Sequence, residues 1–473
     1  MTTATSQRSD RLPLSRLLAF SAGSIPGAMT LGMMGVYLPR FYAAHLGISL
    51  LTLGGAIAVI RLSDIGVDLG LGWLMDKTKT AIGRFKPWYL AGLPVAVIAI
   101  YMVFNPPAGA GVQYLLLWYF VLYVAYSMLA LSHFAWAGSL SRDYDERSRI
   151  FGWLIGIAVL GGVFTNILPL ITHGRISPAD SASVPIISWI IIGFAVVLMP
   201  IAVLFAPERI APVAKKERLT LRDYFAVITT PAMLRLVLAD LFLVLGPGTT
   251  GPIYVFFFHD AKGFSLRTEV PILLIPYTAA GLIGAPIWGR IAQKLGKHRT
   301  VQVACVCYAI TQTILMAIPA KLFWPTFVGM FCVGFTASAF LLLVRAMVAD
   351  VADQLRLETG QERSGVLYAF TTMTQKFGSS ITVSIVYPIL AAVGYDPKES
   401  AHNTAHAIWG LEMCYLFAPI ILVLVGGSMF FGYTLTAERQ RKIRDDLETL
   451  AAKGADAAEE SLVGPSEAAS AAE

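Results

Sequence analysis

Apolar runs of roughly twenty residues or more recur along almost the whole chain, interrupted only by Gly, Pro or short charged clusters. Each run is long enough to cross the hydrocarbon of a bilayer as a helix, the open-chain element that satisfies every backbone N–H and C=O without water. The runs begin near Ser15, Leu50, Trp88, Val112, Arg147, Val184, Met233, Leu266, Arg299, Phe323, Ser364 and His406. They predict an all-α, polytopic membrane protein of twelve spans. Composition closes off other classes: 56% hydrophobic against 14% charged residues excludes a soluble enzyme, a disordered chain and a collagen-like chain. Cys305, Cys307, Cys332 and Cys414 all sit in apolar runs, so they read as small core residues rather than a disulfide framework or zinc knuckle.

The net charge of +6 does not point to nucleic acid, because the basic residues cluster on alternate connections: 8–16, 77–86, 142–149, 209–222, 290–299, 356–363 and 439–444. The connections between, such as 105–111 and 394–403, carry few. This asymmetry predicts both termini in the cytoplasm. The polar first ten residues lead into a long apolar run with no small-residue cleavage site, so the first helix is expected to be retained.

The polar stretch after Pro207 divides the chain into a short N-terminal segment (1–14), a six-helix bundle (15–206), a linker (207–222), a second six-helix bundle (223–436) and a disordered tail (437–473). A weak repeat supports the division. Gly83-Arg84 is echoed by Gly296-Lys297, and Asp143 with Glu146-Arg147 by Asp350 with Glu362-Arg363. Duplicated halves imply a substrate site at mid-membrane and alternating access to it.

A charge at the centre of a spanning helix costs about 2.5–3.5 kcal/mol, so each one needs a partner or a task. Asp64 and Asp68 lie one turn apart on one helix face, with Arg61 a turn earlier. Two carboxylates so close repel strongly in a low dielectric. Arg61 can neutralise one of them; the other charge is then available to a coupling cation, Na⁺ or H⁺. A purely structural Arg-Asp-Asp network is the competing reading. Lys376, in the eleventh run, can face the carboxylate pair from the other half and sense the cation. Asp240 precedes Gly246-Pro247-Gly248, where an unwound backbone can line a cavity. His133 and Trp136, three apart, can offer a stacking surface to the same cavity, or pack as core aromatics.

With these residues in view, the chain resembles the glycoside-pentoside-hexuronide:cation symporter family, the melibiose-permease-like branch of the major facilitator superfamily. One matching segment is Asp64-x-x-x-Asp68, then Gly72, Asp76, Thr78 and Gly83-Arg84-Phe85-Lys86-Pro87-Trp88. The second runs from Met347-Val-Ala-Asp350-x-x-Asp353 through Thr359-Gly360 and Glu362-Arg363 to Thr372-Met373-x-x-Lys376-x-Gly378-Ser379. His133-Phe-Ala-Trp136 with Leu140-Ser-x-Asp143-Tyr-Asp-Glu146-Arg147 adds a third.

The resemblance implies a major facilitator fold in a bacterial inner membrane and a small-molecule, sugar-like substrate. It implies no cofactor beyond the coupling ion, and function as a monomer among membrane lipids. Asp64 and Asp68 would be the cation carboxylates, with a hydroxyl from Ser127. Thr372 and Lys376 would lie at the cavity. Asp143, Glu146, Arg147, Asp350, Arg363 and the loop from Gly83 and Arg84 to Trp88, with Asp76 and Asp353 alongside, would form a cytoplasmic gate. Two departures stand out. Melibiose-type members carry a Lys-Asp pair where this chain reads Pro26-Gly27-Ala28, and an Asn where it has Val67. The first removes the galactoside anchor, and the second removes one oxygen ligand for Na⁺.

Two further readings remain open. Related families with this fold carry lysophospholipids or other amphipathic solutes. Asp64-x-x-x-Asp68 is also the kind of pair with which membrane prenyltransferases hold Mg²⁺-diphosphate, which would require a second aspartate-rich loop facing the first. No G-x-x-x-x-G-K-[ST] loop is present to power ATP-driven export.

Overall fold

The computed structural model of the chain describes residues 11–141, 143–208, 230–359, 364–399 and 401–463. Twelve long helices follow the twelve apolar runs. They are α1 (Leu14–Ala44), α2 (Leu50–Lys77), α3 (Lys86–Phe104), α4 (Val112–Ser139), α5 (Tyr144–Ile171), α6 (Val184–Phe205), α7 (Pro231–Phe256), α8 (Glu269–Leu295), α9 (Lys297–Ala317), α10 (Phe323–Thr359), α11 (Ser364–Ala392) and α12 (Ala405–Ser428). π-turns at Met33–Tyr37 and Phe257–Ala261 interrupt α1 and extend α7. Among the described residues eleven helices are long and apolar enough to cross a membrane, and α11 is not one of them. Its stretch from Thr371 to Ser384 is crowded with hydroxyls and amides around Lys376. Many of those hydroxyls fold back onto helix carbonyls, such as Thr374 onto Phe370 and Ser380 onto Lys376, and α11 packs between α2 and α7.

Side chains cap the helices where the sequence supplies them: Ser49, Asp143 and Thr404 accept from the amides of Thr52, Glu146 and Ala407 at the starts of α2, α5 and α12. The backbone does not unwind at Gly246-Pro247-Gly248; α7 runs straight through. The two glycines serve packing instead. A Cβ on Gly246 would lie 2.5 Å from Val423 of α12, and one on Gly248 2.7 Å from Thr382 of α11. The glycines of the weak repeat, Gly83 and Gly296, share a positive φ of 124° and 85°. Each turns the chain just before a helix, a conformation that favours glycine.

Helices α1–α6 and α7–α12 meet along α2–α11, α5–α8 and α1–α7. On the face opposite the termini the halves are tied together. Ser177 donates to the carbonyl of Leu266 at 2.6 Å, Arg267 lies 3.6 Å from Asp180, and Ser181 hydrogen-bonds Glu399. Buried Arg40 donates to the carbonyl of Ala179 and stacks over Phe256 from the other half. On the terminal face no hydrogen bond or ion pair between described residues joins the halves. Among the described residues the bonds that tie the halves near a membrane face are thus all on the face opposite the termini.

The expected linker lies almost wholly outside the described residues, which resume at Thr230. The disordered tail expected over 437–473 is, as far as Val463, a helix: α13 (Ala437–Val463). It docks on α10, where Gln440 donates to Asp353 at 2.8 Å, Arg444 approaches the same carboxylate at 3.6 Å, and Ile443 is buried. Good helix formers with one docked turn hold the segment in place.

Candidate substrate and cation site

On α2, Asp64 and Asp68 turn inward toward α4 and α11. Ser127 donates to Asp64 Oδ1 at 2.8 Å, and Lys376 Nζ of the other half lies 3.5 Å from Asp64 Oδ2. Lys376 also forms an ion pair with Asp68 Oδ2, so one ammonium bridges both carboxylates. Asp64 is 8% exposed, whereas Lys376 is half-buried, and Asp68 Oδ1 is buried with no hydrogen-bond partner. Lys376 thus faces the carboxylates from α11 as the sequence reading expects, whereas Arg61, expected to neutralise one of them, makes no ion pair with either and acts on Asp64 only through its field. Arg61 is drawn past them: Nε donates to the Tyr123 hydroxyl at 2.6 Å, Nη1 to the Ser379 carbonyl at 2.5 Å, and the guanidinium lies over the Tyr123 ring.

A cavity of about 410 Å³ sits between the halves on the side of this cluster away from the termini. Arg61, Gly35, Gly248, Gln312, Ser379 and Thr382 are among its lining residues. Of the residues expected there, only Arg61 reaches it. Asp240 is buried within the second half, where Gln375 Nε2 lies 3.5 Å from its Oδ1. Thr372 is exposed one turn below Lys376, toward the terminal face, and accepts from Arg345 at 3.2 Å.

His133 and Trp136 do not reach the central cavity. They pack against Phe20 with ring centroids 4.4 and 4.9 Å away, His133 against the Phe20 carbonyl and Trp136 donating to that of Pro207. Trp136 is fully buried as a core aromatic. His133 borders a second, apolar cavity of about 340 Å³ within the first half, together with Thr30, Tyr126 and Leu31; Leu31 also lines the central one.

The expected gate residues tie each half to itself. Glu208, absent from the sequence reading, accepts from the amides of Arg84, Phe85 and Lys86, anchoring the loop after Gly83 at the start of α3. Asp143 caps α5, Arg147 donates to the carbonyl of Ser141, and buried Glu146 accepts from Arg149 and the amide of Leu12. Asp350 accepts from Lys297 at 2.6 Å, and Asp353 holds α13. Arg363 and the side chain of Asp76 lie outside the described residues. Between described residues the expected latch across the halves is not made.

Asp350 and Asp353 are thus engaged within their own half and do not form a second aspartate pair opposite Asp64 and Asp68. Arg345, Gln375 and Tyr123 also do not figure in the sequence reading. Arg345 carries the same signal as Lys376, a charge inside an apolar run.

Two six-helix halves with ionised groups meeting at mid-membrane define a multi-pass membrane transporter. The chain belongs to the family described as MFS/sugar transport protein, whose model matches residues 19–437. This is the melibiose-permease-like group that the motifs of α2, α4, α10 and α11 suggest, and its members are transporters rather than enzymes. The lactose permease of Lactobacillus delbrueckii subsp. bulgaricus is 23% identical over 91% of this chain and 72% of its own length. The sodium-dependent lysophosphatidylcholine symporter 1 of Mus musculus is 22% identical over 94% and 90%. Among solved structures, a bacterial homologue of the human lysosomal transporter Spinster superposes with a TM-score of 0.68 at 12% identity, covering 91% of this chain and 98% of that one.

Proposed function

We propose that the protein is a cation-coupled symporter that carries a glycoside, pentoside or hexuronide by alternating access, with both termini in the cytoplasm. The observation that carries this reading is the bridge of Lys376 to Asp64 and Asp68 across the two halves. A cation entering between the carboxylates competes with the ammonium, so its binding is linked to the contact that joins the halves. Asp64, Asp68 and the Ser127 hydroxyl supply oxygen ligands for Na⁺, or one shared proton. The buried, unpartnered Asp68 Oδ1 is the acceptor left for it. The sugar permease among the relatives favours a sugar-like cargo.

The test is Asp68→Asn in proteoliposomes. Uptake driven by a Na⁺ or H⁺ gradient is expected to fall to background, while counterflow of a labelled solute, which needs no net coupling, persists. Gradient-driven uptake surviving in the variant would refute the assignment. An amphipathic cargo is the second reading, favoured by the apolar cavity that adjoins the central one at Leu31 and can take a hydrocarbon chain. Competition of lysolipid against sugar in the counterflow assay separates the two.

A further inference from the structure

We propose that Arg345 is an anion anchor and that the solute entering with the cation carries a carboxylate or phosphate ester. The inference rests on the symporter reading for its charge balance, and on geometry of its own. Arg345 lies within the span of α10, between one and two turns before Asp350, and is half-buried. Among the described residues its guanidinium meets only neutral oxygens: Thr371 Oγ1 at 3.3 Å, Thr372 Oγ1 at 3.2 Å and Gln375 Oε1 at 3.1 Å. No carboxylate of a described residue lies within 4.0 Å of it. Asp240 makes no direct ion pair with it, and is linked to it through Gln375 and through the field between their charges. The three bonds are long, and Nε makes none among the described residues. A planar fork so loosely engaged retains the geometry for bidentate binding of an acid.

Arg345 is also reachable. It stands on the terminal side of Lys376, stacked over Tyr368, and both Tyr368 and Thr372 are exposed.

Charge counting points the same way. Six ionisable side chains meet around α11: Asp64, Asp68 and Asp240 against Arg61, Lys376 and Arg345. The set is formally neutral. A cation joining the carboxylates frees Lys376 and leaves one uncompensated positive charge in a low dielectric, which is costly. An anionic solute arriving with the cation cancels it. Neither Arg61 nor Arg345 has a carboxylate of a described residue within 4.0 Å, but Arg61 is held at short range by Tyr123 and Ser379, whereas the bonds of Arg345 are long.

Melting of the purified full chain, followed by tryptophan fluorescence, tests this with two matched pairs: para-nitrophenyl β-glucuronide against the β-glucoside, and oleoyl lysophosphatidate against mono-oleoylglycerol. Each is titrated with and without Na⁺, at acid and neutral pH. In one pair the acidic member is expected to stabilise at about ten- to a hundredfold lower concentration than its neutral counterpart, the factor for a hydrogen bond to a charged group. Which pair responds tells a carboxylate from a phosphate. Arg345→Gln is expected to abolish the preference. Arg345→Lys, a point charge without the fork, retains part of it, and serves alone if the Gln variant does not fold. Three results would overturn the anchor: equal stabilisation by both members, no stabilisation by either acid, or an acid preference that survives Arg345→Gln. Equal stabilisation that still needs a cation leaves the symporter reading standing. An Arg345-dependent preference with no cation dependence does the reverse.

Discussion

At the scale of single residues, the two carboxylates of α2 do opposite jobs for their neighbours. Asp64 is fully engaged, by Ser127 and Lys376, while Asp68 keeps one buried oxygen free. Ser127→Ala removes a hydrogen bond to a charged oxygen, a contribution of about 1.5–3 kcal/mol. If the hydroxyl serves the cation, the cation concentration that half-stabilises the protein should rise roughly tenfold or more; an unchanged midpoint would remove Ser127 from the site. Lys376→Ala leaves two carboxylates facing each other. Destabilisation is expected below the roughly 3–5 kcal/mol of fully buried pairs, because Lys376 is partly exposed, and Asp68→Asn added to it should recover much of the loss. A double-mutant cycle on melting temperatures measures that coupling. These charges are legible in the sequence because an ionised group in an apolar run stands out. The pairing of Lys376 with the carboxylates is legible too, since it is the lone charge of the eleventh run; that Arg61 bonds a hydroxyl and a carbonyl instead of a carboxylate is decided only by the packing.

At the scale of elements, small residues set how closely the helices approach. Gly248→Val places a branched side chain where even a Cβ would be 2.7 Å from Thr382, forcing α7 and α11 apart. Overpacking of this kind costs about 1–3 kcal/mol and should lower the melting temperature. Gly32→Ala, on α1 with no atom within 4 Å of the added Cβ, is the matched control and should leave it unchanged or raised. Equal effects at both sites would count against the packing role. Eleven of the twelve runs are readable because their apolar length is set by the bilayer, and the caps at Ser49 and Asp143 follow from residue type. The continuity of α7 and the helix α13 are not, because each depends on a partner: α12 and α11 for the one, α10 for the other.

For the whole molecule, the ties at the face opposite the termini hold the two halves together there. Asp180→Cys with Arg267→Cys, joined by a short cleavable crosslinker, should keep that face shut, since the native side chains approach to 3.6 Å. Transport in proteoliposomes is expected to stop on crosslinking and return on cleavage, while labelling of Thr372→Cys from the terminal side continues throughout. Transport unaffected by the crosslink would mean that this face need not part.

Span number, the two-half plan and the unusual charges were set by sequence alone, because each follows from the cost of placing a given residue type in hydrocarbon. Tertiary structure decided the partners: a hydroxyl and a carbonyl rather than a carboxylate for Arg61, core packing rather than a cavity for Trp136, and intra-half rather than cross-half ties for Glu146, Asp350 and Asp353. A pair forms only when two helices far apart in the chain stand at the right depth and rotation, and no local pattern of residues encodes that.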